Sequence, residues 1–194
     1  MEQMQFGITF DYLCPFARNA NEAVLNGFAD GRDWEPTFHA FSLAQVHTAD
    51  DEPDVWDQPS GKSGVLALQW GLAVRDNYPD YFPDVHRALF AVRHDHGRDL
   101  NDEFVIREAV SSAGADADAV AGLVASGAPM EAVAADHVEC VVGWQVFGVP
   151  TFIVEDQAIF VRLMSRGVAD DVQRVLDLAA WTDLNEFKRA TIPR

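Results

Sequence analysis

The sequence has little cysteine, little basic charge and no long apolar run, and each shortage excludes something. Cysteine occurs only as Cys14 and Cys140. They are far apart, so there is neither a disulfide framework nor a pair of zinc-type spacings, and the usage suits a reducing cytoplasm. Lys and Arg number 14 against 31 Asp and Glu, a formal charge of −17. Such a surface repels a phosphate backbone and an anionic lipid headgroup, which argues against nucleic-acid and membrane partners. Asp, Arg, Gln or Glu interrupts every hydrophobic stretch well before the roughly eighteen residues that a membrane span requires. The opening MEQMQFGITFDYL has no basic stretch followed by an apolar run and a small-residue cleavage site, so it does not read as a secretory signal.

What is present is apolar and aromatic material, 48% and 11% of 194 residues. That suffices for one substantial core, and we expect one globular unit over residues 1–194, elaborated by an insertion. Phe6, Ile8 and Phe10 alternate along residues 5–11, as in a strand. From Pro15 the spacing becomes helical through Phe16, Ala20, Ala23, Val24 and Phe28, with Gly31 just past the end. Trp34 to Leu43 reads as a second, mostly buried strand. Residues 44–60, rich in Asp, Glu and Pro, read as a loop.

Residues 62–77 are apolar nearly all round, as in a buried helix, with Pro79 and Pro83 ending it. Helices are expected over 84–95, 102–113 and 116–126, capped by Asp84, Asp102 and Asp116. Pro129 opens another, whose stripe of Met130, Val133, His137, Val141 and Trp144 runs until Gly148. TFIVE (151–155) and AIFVRL (158–163) suggest a hairpin turning at Asp156 and Gln157. Residues 168–180 close the pattern as a helix. A βαβ unit and a ββα unit separated by helices place the chain in the α/β class, since a sheet with helices on both faces buries all these apolar stripes.

The junction Asp11-Tyr12-Leu13-Cys14-Pro15-Phe16-Ala17 is where the chemistry is expected. Reactive groups in α/β sheets collect at the ends of strands. A cysteine at a helix N-terminus faces unsatisfied N–H groups and the positive end of the helix dipole, which predicts a lowered thiol pKa. Arg18 adds to that effect and Asp11 opposes it. The alternative is an inert, half-buried Cys.

FDYLCPFA resembles the active-site turn of DsbA-family thioredoxin-like proteins, where a second cysteine follows Cys-Pro-x. FGVPTFIV (147–154) resembles their cis-proline loop, and WEPTFHAFSLAQ (34–45) the second strand and the turn after it. The branch that these motifs resemble includes FrnE-type oxidoreductases, kappa-class glutathione transferases and 2-hydroxychromene-2-carboxylate isomerases. The resemblance implies a thioredoxin-like fold with a helical insertion over approximately 44–128, between the βαβ and ββα halves. It implies a cis Val149–Pro150 bond beside Cys14, with Pro15, Phe16, Val149, Pro150 and Thr151 forming the substrate site.

Ala17 stands where a dithiol enzyme has its resolving Cys. Cys140 is a poor substitute. It lies eight residues before Gly148, about 12 Å along a helix axis, and a disulfide needs α-carbons within about 7 Å; it reads as core. Cys14 is therefore expected to act alone, as the thiol of a monothiol oxidoreductase whose mixed disulfide is resolved by a small thiol such as glutathione or mycothiol. A small-thiol-dependent transferase or isomerase is the second reading, because the kappa-class and isomerase relatives use a Ser at this turn with bound glutathione. A non-catalytic binding module is the third. No covalently bound cofactor is expected, and a homodimer is implied by the resemblance only.

Other candidates carry less. His39 and His47 flank the second strand and read as structural or exposed, with an approach to the site as the alternative. His137 reads as packed. His86, His94 and His96 near Asp95 superficially suggest a metal, but the HDHG spacing fits histidines at a helix end, and no metal site is expected. Trp56 is either a lid over the site or an anchor for the acidic loop.

Overall fold

In a computed structural model, residues 3–49, 51–58, 64–184 and 186 are described. Residues 50 and 59–60 of the expected loop, 62–63 of the expected helix and the first and last residues of the expected unit lie outside them. The order is β1 (Met4–Phe10), α1 (Pro15–Ala29), β2 (Trp34–Ala40), α2 (Leu43–Val46), α3 (Val65–Asn77), α4 (Phe82–His94), α5 (Glu103–Ser112), α6 (Ala117–Ala125), α7 (Ala128–Trp144), β3 (Thr151–Val154), β4 (Gln157–Phe160) and α8 (Ala169–Ala179).

The sheet runs β2-β1-β3-β4, with β1 parallel to β2 and antiparallel to β3, and β3 antiparallel to β4. A parallel pair requires a crossover, and α1 supplies it. Ile8, Phe10 and Phe152 in the two central strands are fully buried, each contributing roughly 1.5–3 kcal/mol of apolar transfer free energy. The class is α/β, a thioredoxin-like fold with α2 to α6 inserted between the two halves.

Local chemistry sets the element ends. Pro15 opens α1 behind Cys14 as N-cap. Gly31 at φ 76° closes it, with the Arg32 N–H bonded to the Gly27 carbonyl at 3.0 Å, the left-handed termination that glycine permits. Gly27 is also required for contact, because a Cβ there would lie 2.0 Å from the Trp34 ring. Asp102 and Asp116 cap α5 and α6 as expected, each accepting an N–H from the first turn.

Several boundaries differ from expectation. The second strand stops at Ala40 rather than Leu43, because Ser42 turns the chain and caps α2, accepting the Gln45 N–H at 3.2 Å. The expected loop 44–60 therefore contains most of α2 and, among its described residues, a 3-10 turn over Val55–Asp57. Asp84 is not a cap; Pro83 sits in the first turn of α4, so that helix starts at Phe82. Helix α7 ends at Trp144, with Gln145 in the left-handed region at φ 55°, four residues before Gly148. Its buried stripe is Val133, His137 and Cys140, while Val141 faces out. The hairpin turns at Glu155 and Asp156, one residue earlier than expected, with Glu155 at φ 54°.

The insertion is pinned to the sheet by charge as well as packing. Arg75 of α3 donates to the Phe38 carbonyl at 2.7 Å and pairs with Asp136 of α7. Asp136 in turn accepts the Ala40 N–H at 2.8 Å, so three elements meet at the end of β2. Apolar packing is continuous from the sheet through Leu68, Leu72, Leu89 and Ile106 of the insertion. Among the described residues no helix is long and apolar enough to cross a membrane.

Candidate active site

The site is built where β1 delivers the chain to α1. Asp11, 1% exposed, holds the turn with both oxygens. One accepts the Leu13 N–H and the other the Leu43 N–H, each at 2.8 Å, tying the turn to the start of α2. Burial pushes the Asp11 carboxyl up to about 6, although those two N–H groups act to lower it.

Cys14 follows as the cap of α1. Its sulfur accepts the Ala17 N–H at 3.4 Å and its S–H donates to the Val149 carbonyl at 3.5 Å. The Val149–Pro150 peptide is cis. That loop is fastened on two sides: the Thr151 N–H donates to the Thr9 hydroxyl at 2.8 Å, and the Val161 N–H donates to the Pro150 carbonyl at 3.2 Å. The Thr151 hydroxyl donates to the Gly148 carbonyl at 2.7 Å, inside the loop. Cys14, Pro15, Phe16, Val149, Pro150 and Thr151 are thus brought together, with Thr151 buried and turned inward.

The thiol itself departs from expectation. Burial pushes the Cys14 pKa above its ordinary value; the Ala17 and Phe16 amides act against this, Asp11 adds to it and Arg162 opposes it. At 9% exposure, the sulfur loses more hydration than the first-turn amides return. Arg18 does not assist. It pairs with Glu22 at 3.2 Å and with Asp95, and Arg166 closes the box by pairing with both acids.

Both cysteines are free thiols. Cys140 is fully buried, and burial first, then Asp136 and Glu139, push its pKa up to about 12. It is core, as expected.

Beneath the turn lies a polar chain that the sequence reading missed. The Tyr12 hydroxyl donates to His86 Nδ1 at 2.9 Å, and His86 Nε2 donates to Asn21 Oδ1 at 3.1 Å. Asn21 Nδ2 donates to the Ala17 carbonyl at 2.8 Å. His86 is fully buried among Phe10, Phe38, Phe82 and Phe90, and burial lowers its pKa to about 3. It is a core residue and not a helix-end histidine. Its signal was available in the helical spacing Phe82, Val85, His86, Leu89, Phe90, which sets it on the apolar face. Thr9 carried a similar signal, a polar residue inside an apolar strand. His94 donates to the Tyr12 carbonyl at 2.9 Å.

The remaining histidines stand apart from the sulfur. His39 packs on Trp144 with ring centroids 5.6 Å apart. His47 is exposed at the end of α2. His137 accepts the Ser42 N–H at 3.1 Å, packs on Phe41 and lies against Trp56 with ring centroids 5.6 Å apart. Trp56 is thereby an anchor for its loop. Among the described residues no cluster of His, Cys, Asp or Glu could hold a metal ion.

One basic side chain does reach the site. Arg162, just beyond β4, lies with its guanidinium carbon 5.3 Å from the Phe16 ring centre and 5.4 Å from that of Phe160.

Comparison with known proteins agrees with this architecture. The family model for the DSBA-like thioredoxin domain matches residues 64–174, that is, the insertion and the cis-proline half and not the Cys14 turn. Among solved structures, a thioredoxin-like oxidoreductase from Silicibacter pomeroyi aligns over 92% of this chain and 87% of its own, at 18% identity and a TM-score of 0.63. A 2-hydroxychromene-2-carboxylate isomerase aligns over 91% and 94%, at 18% identity and a TM-score of 0.68. The thiol-disulfide exchange protein α-DsbA2 from Wolbachia pipientis aligns over 91% and 82%, at 17% identity and 0.63. At these identities the likeness is one of fold. No curated protein sequence matches the chain. The matched segment exceeds half of the residues, and the chain belongs to the DSBA-like thioredoxin domain family.

Proposed function

We propose that this protein is a monothiol thiol-disulfide oxidoreductase. The observation that carries the reading is the Cys14 sulfur, at the first turn of α1 and 3.5 Å from the Val149 carbonyl before the cis proline, with Ala17 one turn on instead of a second thiol. In the reaction, Cys14 loses its proton to solvent and its thiolate attacks one sulfur of a disulfide RSSR. A Cys14–S–S–R bond forms as the S–S bond of RSSR breaks and the other half leaves as RS⁻; a second small thiol R′SH, as its thiolate, then attacks the R-side sulfur of the mixed disulfide, forming RSSR′ and returning Cys14 as a thiolate. The Val149 backbone, whose carbonyl faces the Cys14 sulfur, positions the incoming disulfide. Glutathione or mycothiol in a thiol-rich cytoplasm suits this cycle, and no bound cofactor enters it.

A second reading is favoured by one specific observation, the raised Cys14 pKa with its S–H donated to Val149. A thiol kept protonated serves as a hydrogen-bond donor to a bound small thiolate, as a transferase or isomerase requires. Cys14→Ser separates the two. Under the first reading the variant forms no mixed disulfide and has no reductase activity with a small disulfide. Retention of full activity in a conjugation or isomerisation assay by the same variant establishes the second and overturns the first. A binding module that uses no thiol chemistry would show neither activity in the parent protein.

A further inference from the structure

Arg162 differs from the other arginines near α1. Arg18 and Arg166 neutralise Glu22 and Asp95 in a closed box. Arg162 is exposed, and among the described residues no carboxylate pairs with it. In a chain with 31 acidic side chains and only 14 Lys and Arg, a cation without an acid partner next to the reacting sulfur is a specific arrangement. It acts on that sulfur, drawing the Cys14 pKa down against the effect of burial.

The group is also held in place. The Val161 N–H is bonded to the Pro150 carbonyl at 3.2 Å, and the Leu163 carbonyl accepts from Asn19 of α1 at 2.9 Å. Both chain neighbours of Arg162 are therefore tied to the elements that form the Cys14 site. The guanidinium rests against Phe16 and Phe160, and Phe147, 70% exposed, packs on Phe160 with centroids 5.0 Å apart. Gly148 permits the approach, since a Cβ there would lie 3.3 Å from the Phe160 ring. A guanidinium stacked on rings keeps its N–H fork free at the edge, and that fork matches a carboxylate in two parallel hydrogen bonds.

We propose that Arg162, with Phe16, Phe160 and Phe147 as its shelf, is the recognition site for the carboxylate of an anionic small thiol or disulfide, and selects such a co-substrate over a neutral one. The inference rests on Cys14 as the reacting sulfur. The test compares two aromatic disulfides, Ellman's reagent with a carboxylate on each ring and neutral 4,4′-dithiodipyridine, against the full-length protein and Arg162→Gln at equal ionic strength. Any change in the Cys14 thiolate fraction alters both rates alike, so the ratio of anionic to neutral rate reports recognition alone.

The ratio is expected to fall roughly two- to five-fold in Arg162→Gln, the scale of one partly exposed ion pair, to recover in part in Arg162→Lys, and to stay unchanged in the distant Arg174→Gln. An equal ratio in the parent and Arg162→Gln overturns the proposal. Failure of both reagents to label Cys14 in the folded protein would instead overturn the nucleophile reading. In that case, binding of the unreactive dicarboxylate S-methylglutathione decides Arg162: affinity roughly two- to five-fold weaker in Arg162→Gln supports it, and equal affinity, or no binding by the parent, overturns it.

Discussion

The protein holds two thiols in two kinds of burial. Around Cys140, in the middle of α7, burial and the acids Asp136 and Glu139 all push the pKa in one direction, to about 12. Around Cys14, burial and Asp11 push it up while the Ala17 and Phe16 amides and Arg162 push it down. The first is closed chemistry. The second is a balance, and under the proposed function a substrate that takes up the Val149 carbonyl removes the S–H bond that favours the protonated thiol. What separates the proposed reacting thiol from the core one is the set of opposing groups around it, and not exposure, since both side chains are buried.

The largest effect that sharpens this contrast is on reactivity. Cys14→Ser is expected to reduce mixed-disulfide formation with a small disulfide by more than about 100-fold, whereas Cys140→Ser stays within about two-fold of the parent, as measured by intact mass. Equal labelling of both positions in the folded protein would remove the distinction.

The next effect is on pH dependence, through His86 below the Cys14 turn. Its folded pKa, near 3, lies below the ordinary 6.5, so the stability it contributes is fully present above 6.5 and is lost as pH falls towards 3. Asp11 has the opposite sign. Its folded value, about 6, lies above 3.8, so the penalty of burying its charge is relieved as pH falls from 6 to 3.8. The wider His86 window predicts a stability loss on acidification from pH 6.5 to 4 that is steeper in the parent than in His86→Gln. Denaturant titrations at several pH values check this, and identical slopes would contradict it.

Stability reverses the order of the two cysteines. Cys140→Ser buries a hydroxyl in an apolar setting and is expected to cost about 1–3 kcal/mol. Cys14→Ser keeps a donor for Val149 and an acceptor for Ala17, so about 1 kcal/mol or less is expected. Chemical denaturation of the two variants measures both. The smallest effect is electrostatic. Arg162→Gln removes a cation that favours the thiolate, so the pH midpoint of Cys14 alkylation should rise; an unchanged midpoint would mean that Arg162 does not act on the sulfur.

Much of this was legible in the chain. Period-two and helical spacing placed the strands and helices, and Cys14-Pro15 before an apolar helix pointed to the candidate site. What failed has a common cause in tertiary contact. Ser42 reads as a strand residue until its hydroxyl is seen to cap α2. The Cys14 pKa reads as lowered from the helix mouth alone, because nothing local shows how deeply the β3 loop and α1 bury the sulfur. Arg162 lies only at the end of an expected strand, and its relation to Phe16, 146 positions earlier, comes from the β2-β1-β3-β4 order. His86 differs in kind, since its spacing with Leu89 and Phe90 sets it on the apolar face of α4, eight residues before the helix-end His94 with which it was grouped.

The most direct measurement of the central claim follows one turnover at Cys14 by peptide mapping: the reduced protein is mixed with a small disulfide and then with the corresponding thiol. The account predicts a single mixed disulfide on Cys14, released by the added thiol, with Cys140 unmodified throughout. No adduct on the folded protein, or an adduct that resolves through a Cys14–Cys140 disulfide, would contradict it.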